Sequence, residues 1–281
     1  MSGLVFTAVL IAALLHASWN AMVKGARDKQ LNMIAVVIGH VPLAIVVLLL
    51  APAPDLASLP YLFSGMGLHF GYQLFLIRAY KVGDLTQVYP IARGSAPMLV
   101  AAVSVLFLGV TLAPLEIAAV LTIGIGILSM ALVRKQDGQR NPQGAKLALI
   151  TGCFIAAYSL VDGMGARVAG SALGFYGWLA LGNATLMALF VATTAPHQFR
   201  ALRATGKRVL LIGGSASFAA YALVIWAFTQ SPIALVTALR ETSIIFALLI
   251  GVVFLKEKLN LAKVASTAIT LIGVALLRLA K

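Results

Sequence analysis

The sequence has few charged residues, and acidic residues are the scarcest of them. Only 10% of its 281 residues are charged, and eight Asp and Glu stand against 21 Lys and Arg. Soluble domains carry about 25% charged residues, so this composition excludes a soluble globular chain. Hydrophobic residues instead make up 61% of the sequence, and the mean hydropathy is +1.01. The composition therefore predicts an integral membrane protein.

Cysteine and histidine are also scarce, which limits the chemistry available to the chain. The one cysteine, Cys153, lies within an apolar run, so a single chain has neither a disulfide nor a cysteine metal site. The histidines His16, His40, His69 and His197 are scattered, and no HExxH motif, acid cluster or ATP-binding motif accompanies them. A membrane-embedded enzyme would need a nucleophile with its base, or a set of metal ligands. We therefore predict no enzyme activity, no metal and no cofactor.

Long apolar runs are what the sequence does contain. A span needs about 20 apolar residues, and ten such runs are separated by short polar breaks: 3–23, 31–51, 60–80, 85–109, 113–133, 145–166, 171–195, 208–229, 232–255 and 259–277. The longest break, 134–144, is too short for a soluble domain. The sequence thus predicts an all-α integral membrane protein with ten transmembrane helices.

Basic residues alternate between the two sides of the predicted membrane. Fifteen Lys and Arg lie in the breaks after the first, third, fifth, seventh and ninth spans, whereas the other breaks and the termini hold only Arg167, Arg278 and Lys281. By the positive-inside rule the fifteen-charge side is cytoplasmic, so both termini are predicted to lie outside, in the periplasm, in a multi-pass inner-membrane protein. No basic residue precedes the first run, which therefore reads as a span and not as a signal peptide. The net charge of +13 then sets topology, and no nucleic-acid partner is predicted.

The two halves of the chain align with each other. Arg93 aligns with Arg240, and "GAR" occurs near the start of each half, at 25–27 and at 165–167. An internal repeat of this kind indicates a duplicated structural unit.

The alignment predicts two five-span units, 1–135 and 144–281, joined by a basic cytoplasmic linker at 134–144. Because five is an odd number, the second unit enters the membrane from the opposite side. The result is a 5+5 inverted-topology repeat, which many secondary transporters use with a site near the bilayer midplane.

Three stretches resemble the EamA-type permeases of the drug/metabolite transporter superfamily. They are "HASWNAMVKGA", "IRAYKVGDLTQVYPIARGSAPMLVAAVSVLFLG" and "FTQSPIALVTALRETSIIFALLIGVVFLKEKLN", and the resemblance extends over the whole chain. The acid that follows the fourth helix of each repeat in this family is kept as Glu257 and replaced by Val110 in the first copy. The "LLHASWNA" opening is also similar to a small group of permeases associated with phosphonate utilisation.

The resemblance implies a carrier with a central cavity lined mainly by spans 1, 3, 4, 6, 8 and 9. The substrates of the family range from amino acids, choline and sugars to nucleotide-sugars, phosphorylated metabolites and drugs. It therefore implies a transporter without naming a solute.

Charged residues within the spans are the first candidates for a site. Arg93 and Arg240 each lie about nine residues from the outer end of a span, which at about 1.5 Å per residue is roughly 13 Å deep. Glu241 follows Arg240, and two functional assignments are open. Either Glu241 pairs with Arg93 and leaves Arg240 to the cavity, or both arginines hold substrate while Glu241 carries a proton. A purely structural ion pair is the alternative to both.

Polar and aromatic residues at helical spacing complete the predicted site. His16, Trp19 and Asn20 share one face of the first span, and a second such face recurs in the third span; interhelical hydrogen bonding is the alternative reading of both. The prolines at 90 and 97 are expected to break the fourth span near Arg93. The predicted substrate contacts are Arg93, Arg240, Tyr89, Tyr72, Gln73, His69, Trp19, Asn20, His16, Tyr221 and Trp226.

Two further groups are predicted near the outer surface. Asp162, four residues after Tyr158, is expected to act as a gate or an anchor, with simple exposure among the lipid headgroups as the alternative. Tyr176 and Trp178 are expected in an interfacial aromatic belt.

The predicted cavity is net positive, because two guanidinium groups face one glutamate. Arginine binds carboxylate and phosphoryl oxygens through paired hydrogen bonds. We therefore predict a secondary transporter that moves a small anionic or zwitterionic metabolite, such as an amino acid, an organic acid or an organophosphonate, by alternating access. The alternatives are a flippase for a phosphate-linked lipid carrier and an exporter of small cations or drugs. The predicted partners are the solute and the lipid bilayer, for a monomer or a homodimer.

Overall fold

The computed structural model describes residues 1–24, 28–82, 85–129, 142–253 and 261–280. These residues form helices and their connections, and no strand occurs among them. In chain order the helices are α1 (Gly3–Lys24), α2 (Lys29–Ile38), α3 (Val41–Leu50), α4 (Leu59–Val82), α5 (Leu85–Leu106), α6 (Pro114–Ser129), α7 (Pro142–Val168), α8 (Ala172–Thr194), α9 (His197–Ala201), α10 (Gly214–Gln230), α11 (Ile233–Arg240), α12 (Ser243–Val253) and α13 (Leu261–Leu279). A 3₁₀ turn covers Leu56–Ser58, and π-helical turns cover Leu202–Gly206 and Val209–Gly213.

Seven of the described helical stretches are long and apolar enough to cross a membrane. They are Gly3–Val23, Gln30–Leu50, Val88–Leu106, Pro142–Val168, Ala172–Thr194, Val209–Gln230 and Ile233–Val253. Two shorter apolar helices, Pro114–Ser129 and Val264–Leu279, lie where further spans are predicted. Helix α4 is 24 residues long but is not among the seven. An all-helical, multi-pass membrane protein is therefore confirmed, while the count of ten spans and the inverted repeat stay predictions.

Some predicted features lie outside the described residues. They are the first "GAR" at 25–27, most of the linker at 134–144, Glu257 in "FLKEKL", and the terminal Lys281.

The second predicted span, 31–51, is broken at Gly39 and His40 into α2 and α3. Pro42, in the first turn of α3, has no N–H to continue the ladder from α2. A Cβ at Gly39 would collide with the backbone carbonyl of Leu210, so glycine is what allows the two segments to approach. The break turns the side chain of His40 into an interior cavity.

The ninth predicted span, 232–255, is broken as well. Helix α11 ends at Arg240, the N–H of Glu241 donates to the carbonyl of Ala238 at 3.1 Å, and α12 begins at Ser243. A break at membrane depth is tolerated where the backbone is buried in protein or lines a cavity. Both conditions hold here, because Arg240 and Glu241 are buried and Arg240 lines the cavity.

The prolines of the fourth span do not break it, contrary to expectation. Helix α5 runs through both Pro90 and Pro97. Neighbouring helices can satisfy the carbonyls that a proline frees, and α5 packs against α6, α7 and α11. Arg93 therefore stands on one continuous helix.

Helices from the first part of the chain pack mainly against helices from the second part. The main pairs are α1 with α10, α4 and α5 with α7, α3 with α8, and α6 with α13. Small residues allow such approach: in the last pair the hydroxyl of Ser266 donates to the carbonyl of Gly126. Outward-facing side chains such as Leu49 are apolar and exposed, as a lipid-facing surface requires.

Arg167, counted above among the loop charges, closes the end of α10. Its Nε donates to the carbonyl of Phe228 at 2.8 Å and its Nη2 to the carbonyl of Ser231 at 2.9 Å. Basic side chains satisfy the last carbonyls of helices in this way. The contact ties the end of α7 to the end of α10.

Candidate substrate site

A cavity of about 100 Å³ lies among α1, α2, α4, α5, α7, α8, α10 and α11. One water needs roughly 10–15 Å³ on this measure, so the cavity has room for several waters or a small solute. Nine residues of the predicted site line it: His16, Trp19, His69, Tyr72, Gln73, Arg93, Tyr158, Tyr221 and Arg240.

Three predicted substrate contacts, Asn20, Trp226 and Tyr89, are not among the residues that line the cavity. The amide nitrogen of Asn20 donates to the carbonyl of His16 at 2.8 Å. Trp226 packs against the main hydrophobic core. The ring of Tyr89 has its centroid 6.0 Å from Cζ of Arg93.

The structure adds residues that the sequence reading missed. His40, Tyr176, Asn183 and Ser217 also line the cavity. The placement of Tyr176 in an interfacial belt is wrong, because this side chain is 3% exposed, whereas Trp178 is 44% exposed. Tyr176 and Asn183 are seven residues apart on α8, a spacing that puts two side chains on one helix face. The sequence spacing of Tyr176 and Asn183 could therefore have indicated that both face the cavity.

Arg93 and Glu241 form a buried ion pair between α5 and the break after α11. Nε of Arg93 lies 2.8 Å from Oε2 of Glu241, and its Nη2 donates to Oγ of Ser243 at 3.4 Å. Nε of Arg240 is farther from the same carboxylate, 3.8 Å from Oε1. Glu241 is fully buried. Glu241 therefore lies closer to Arg93 than to Arg240, and both arginines line the cavity.

The guanidinium of Arg240 has hydrogen-bond donors without protein partners among the described residues. Its Nε and Nη2 are buried and have no hydrogen-bond partner among the described residues. Its guanidinium stands 6.0 Å from the ring centroid of Tyr221, within the range of a cation–π contact. Polar groups buried without partners are costly and rare, so these donors require water or a solute.

Further buried polar atoms around the cavity also lack hydrogen-bond partners among the described residues. Within the described residues, no partner is found for five of them: Nε1 of Trp19, Nε2 of His40, Oε1 of Gln73, the hydroxyl of Tyr176 and Oδ1 of Asn183. All five residues line the cavity. It therefore presents both donors and acceptors to whatever occupies it.

A second polar cluster centres on Asp162. Its Oδ2 lies 2.7 Å from Nε2 of His69 and accepts a hydrogen bond from the hydroxyl of Tyr221 at 2.6 Å. The His69 ring stacks on Tyr158 with centroids 4.1 Å apart. Asp162 is 0% exposed, so the alternative of exposure among the headgroups does not describe it.

The sequence of the second half identifies the family. The model of the EamA-like transporter family matches residues 142–279. The chain contains an EamA-like transporter domain. Such domains are typical of the drug/metabolite transporter superfamily, whose members are transporters rather than enzymes.

Solved structures agree with the fold. Among 29 matching chains, one titled only "Crystal structure of protein" has a TM-score of 0.75 at 20% identity, with 99% of this chain and 98% of that chain covered. Likeness at this identity concerns the fold alone. No curated protein matches the chain.

More helices line the cavity than the resemblance to EamA-type permeases implied. Spans 1, 3, 4, 6, 8 and 9 all contribute lining residues, as α1, α4, α5, α7, α10 and α11. Helix α2 and helix α8, in the second and seventh predicted spans, contribute as well, through residues such as Val37 and Asn183.

Proposed function

We propose that this protein is a secondary active transporter that moves a small anionic or zwitterionic metabolite across the bacterial inner membrane. Amino acids, organic acids and organophosphonates are the solute classes that fit. The observation that carries the proposal is the state of Arg240, which lines the cavity with Nε and Nη2 lacking hydrogen-bond partners among the described residues. Carboxylate and phosphonate oxygens accept bidentate hydrogen bonds from such a guanidinium.

The two arginines have different roles in this proposal. Arg93 is held by Glu241 at 2.8 Å and by Ser243 at 3.4 Å, so it positions the break in the α11–α12 segment. Arg240 lies farther from the carboxylate, at 3.8 Å, and binds the solute. The aromatic and amide groups of the cavity, including Trp19, contact the rest of the solute.

Alternating access is the transport mechanism we propose. The units 1–135 and 144–281 form an inverted repeat of ten spans with both termini in the periplasm, and they rock about the contact between α5 and α11. The packing of α1, α4, α5 and α6 against helices of the second unit supports this arrangement. Energy comes from an ion or solute gradient.

The test is a thermal-shift panel on the purified, detergent-solubilised protein. The panel contains L-alanine, L-lactate, succinate, 2-aminoethylphosphonate, choline and a short-chain polyprenyl phosphate. A ligand at 100 times its Kd adds about 2.7 kcal/mol of stability. We expect an anionic or zwitterionic solute to stabilise the wild type and not Arg240→Gln, with the exposed Arg203→Gln as the matched control that responds like the wild type.

The other outcomes contradict the proposal in distinct ways. Stabilisation by the polyprenyl phosphate alone would indicate a lipid-carrier flippase. Stabilisation by choline alone would indicate a cation exporter. An equal response of Arg240→Gln and the wild type would mean that Arg240 does not bind the solute.

A further inference from the structure

The charges around the cavity balance when the histidines are neutral. Arg93 and Arg240 contribute two positive charges, while Glu241 and Asp162 contribute two negative charges, and none of the four is more than 5% exposed. The sequence reading counted only three of them and expected a net positive cavity. Because Asp162 cancels the excess, an anionic solute brings a charge into the cavity that nothing there offsets.

His69 is placed to supply the missing positive charge. It lines the cavity, its side chain is 14% exposed, and its Nε2 lies 2.7 Å from Oδ2 of Asp162. Histidine is the side chain that ordinarily changes charge between about pH 5 and 8. A proton added to this pair changes the net charge of the cavity from zero to plus one.

We propose that the His69–Asp162 pair is the proton-binding site of this transporter, and that one proton enters it with each negative charge that the solute brings into the cavity. This inference rests on the proposed function and adds the coupling ion and its stoichiometry. A monoanion is carried with one proton, and a zwitterion is carried with none.

The proton transfer balances in atoms and charge. Before it, Nε2 of His69 holds a hydrogen that it donates to Asp162, and the pair carries one negative charge. A proton from water adds to Nδ1, which gives an imidazolium facing the carboxylate and a net charge of zero. The hydroxyl of Tyr221 donates to the same carboxylate oxygen throughout.

Glu241 is less suited to this role than the pair. Its carboxylate faces two guanidinium groups, at 2.8 and 3.8 Å, and it does not line the cavity. A proton on this carboxylate would weaken its attraction to both arginines. The neighbours across the His69 ring are Tyr158 and Tyr221, which are ordinarily uncharged near neutral pH.

The position of the pair couples it to the rocking of the two units. His69 stands on α4 in the first unit, and Asp162 and Tyr221 stand on α7 and α10 in the second. The contact therefore crosses the boundary that the proposed motion rearranges, and its charge changes at that boundary.

The other charged and titratable groups around the pair are few. Among the described residues they are Tyr72 on α4, Tyr158 on α7, Tyr176 on α8, Tyr221 on α10, Arg93 on α5, Arg240 on α11, His16 on α1 and His40 between α2 and α3, together with Glu241, which contacts the two arginines. Tyrosine and arginine do not ordinarily change charge between about pH 5 and 8. Neither His16 nor His40 forms an ion pair within the described part of the chain. The proton is therefore assigned to His69.

Two solutes of nearly the same shape test the stoichiometry. Between about pH 5 and 8, L-lactate is a monoanion and L-alanine a zwitterion. Because linkage is reciprocal, a solute that binds with one proton loses up to about tenfold in affinity for each pH unit above the titration of the pair. We expect the Kd of L-lactate to follow this dependence and the Kd of L-alanine to change less than about twofold.

Proton movement is measured in proteoliposomes that contain a pH-sensitive dye. We expect L-lactate to carry protons in the wild type and in His197→Gln, an exposed histidine that serves as control. Asp162→Asn, which leaves the two arginines with only Glu241 to offset them, is expected to exchange labelled L-lactate without proton movement. His69→Gln is expected to lose proton movement, and because His69 lines the cavity, the folding of this variant is checked by its thermal unfolding transition in detergent. A pH gradient of one unit should drive about tenfold accumulation of L-lactate in the wild type. Proton movement at the wild-type ratio in both variants would overturn the proposal, as would L-lactate exchange without protons in the wild type.

A measurement without solute separates this proposal from the proposed function. In protein carrying labelled histidine, the His69 ring signal is identified by NMR through its absence from His69→Gln. We expect that signal to report proton uptake by the ring, and this uptake to differ in Asp162→Asn. If no panel compound binds, the proposed function fails and this titration alone decides the proton site. A His69 signal that does not titrate, or that ignores Asp162→Asn, overturns the proposal.

Discussion

Replacing Glu241 with glutamine should destabilise the protein strongly, because this carboxylate lies between two buried arginines. Its Oε2 is 2.8 Å from Nε of Arg93, and its Oε1 is 3.8 Å from Nε of Arg240. At 4 Å and an effective dielectric constant of 20, two unit charges attract by about 4 kcal/mol. Removing one partner of a buried pair costs about 3–5 kcal/mol, since the other charge is left unpaired. We expect Glu241→Gln to lower the free energy of unfolding by about that amount.

The assay is SDS-induced unfolding in mixed micelles, followed by circular dichroism. Glu116→Gln is the matched control, because Glu116 lies in the first turn of α6, where its Oε2 accepts the N–H of Ala113 at 2.9 Å. A glutamine oxygen can accept the same bond, so we expect this control to cost less than about 1 kcal/mol.

A double-mutant cycle then isolates the pair. Arg93→Gln, Glu241→Gln and the double variant should give a coupling free energy of at least about 1 kcal/mol, because the two side chains are in contact. Costs that add to within about 0.5 kcal/mol would refute the reasoning. So would a Glu241→Gln protein as stable as the control.

Three further substitutions test other parts of the structure. Gly39→Ala should lower the thermal midpoint, because overpacking against the Leu210 carbonyl costs about 1–3 kcal/mol. Gly67→Ala should leave the midpoint unchanged, since a Cβ there meets nothing within 4 Å. Equal effects of the two substitutions would contradict the close approach of Gly39 to Leu210. Arg167→Gln should cost about 1–3 kcal/mol of unfolding free energy through the loss of the carbonyl bonds at the end of α10, and an unchanged SDS titration would contradict that capping role. Tyr221→Phe removes the hydrogen bond to Asp162 and should cost about 1.5–3 kcal/mol in the same titration; a variant as stable as the wild type would mean that the hydroxyl does not stabilise the buried carboxylate.

The helices could be predicted from the sequence because a helix that crosses the bilayer needs a run of about 20 apolar residues. The breaks within them could not. Gly39 reads as an ordinary glycine until the Leu210 carbonyl is found against it, and that contact joins residues far apart in the chain. The prolines show the converse, since Pro90 and Pro97 signal a break that the packing around α5 does not require.

The site was partly predictable for a related reason. Arg93 and Arg240 stand out because charge is rare in an apolar span, and the structure brings both to one cavity. For Asp162 the sequence predicts a gate or an anchor and leaves exposure among the headgroups open as the alternative. The structure rules out exposure, because Asp162 is buried against His69 and Tyr221, on helices whose position relative to α7 the sequence does not show. Tyr176 was misplaced in an interfacial belt because the sequence does not show which helices cover it.

The predicted solute preference depends on whether the charges are counted along the sequence or in the folded structure. Counted along the sequence, two arginines against one glutamate favour an anion through net charge alone. Counted in space, Asp162 is buried as well and contacts His69 and Tyr221, which line the cavity, so two positive and two negative charges lie around the cavity. Under the proposed function, selection of an anion depends on the direction of Arg240, whose donors lack partners within the described residues, and on the proposed proton that offsets the charge of the solute. The same proposal expects a zwitterion to bind without a proton, because its carboxylate and ammonium charges cancel and leave the net charge of the cavity unchanged. One cavity would then carry both solute classes with different proton stoichiometries, and the paired measurement with L-lactate and L-alanine distinguishes this from a fixed stoichiometry.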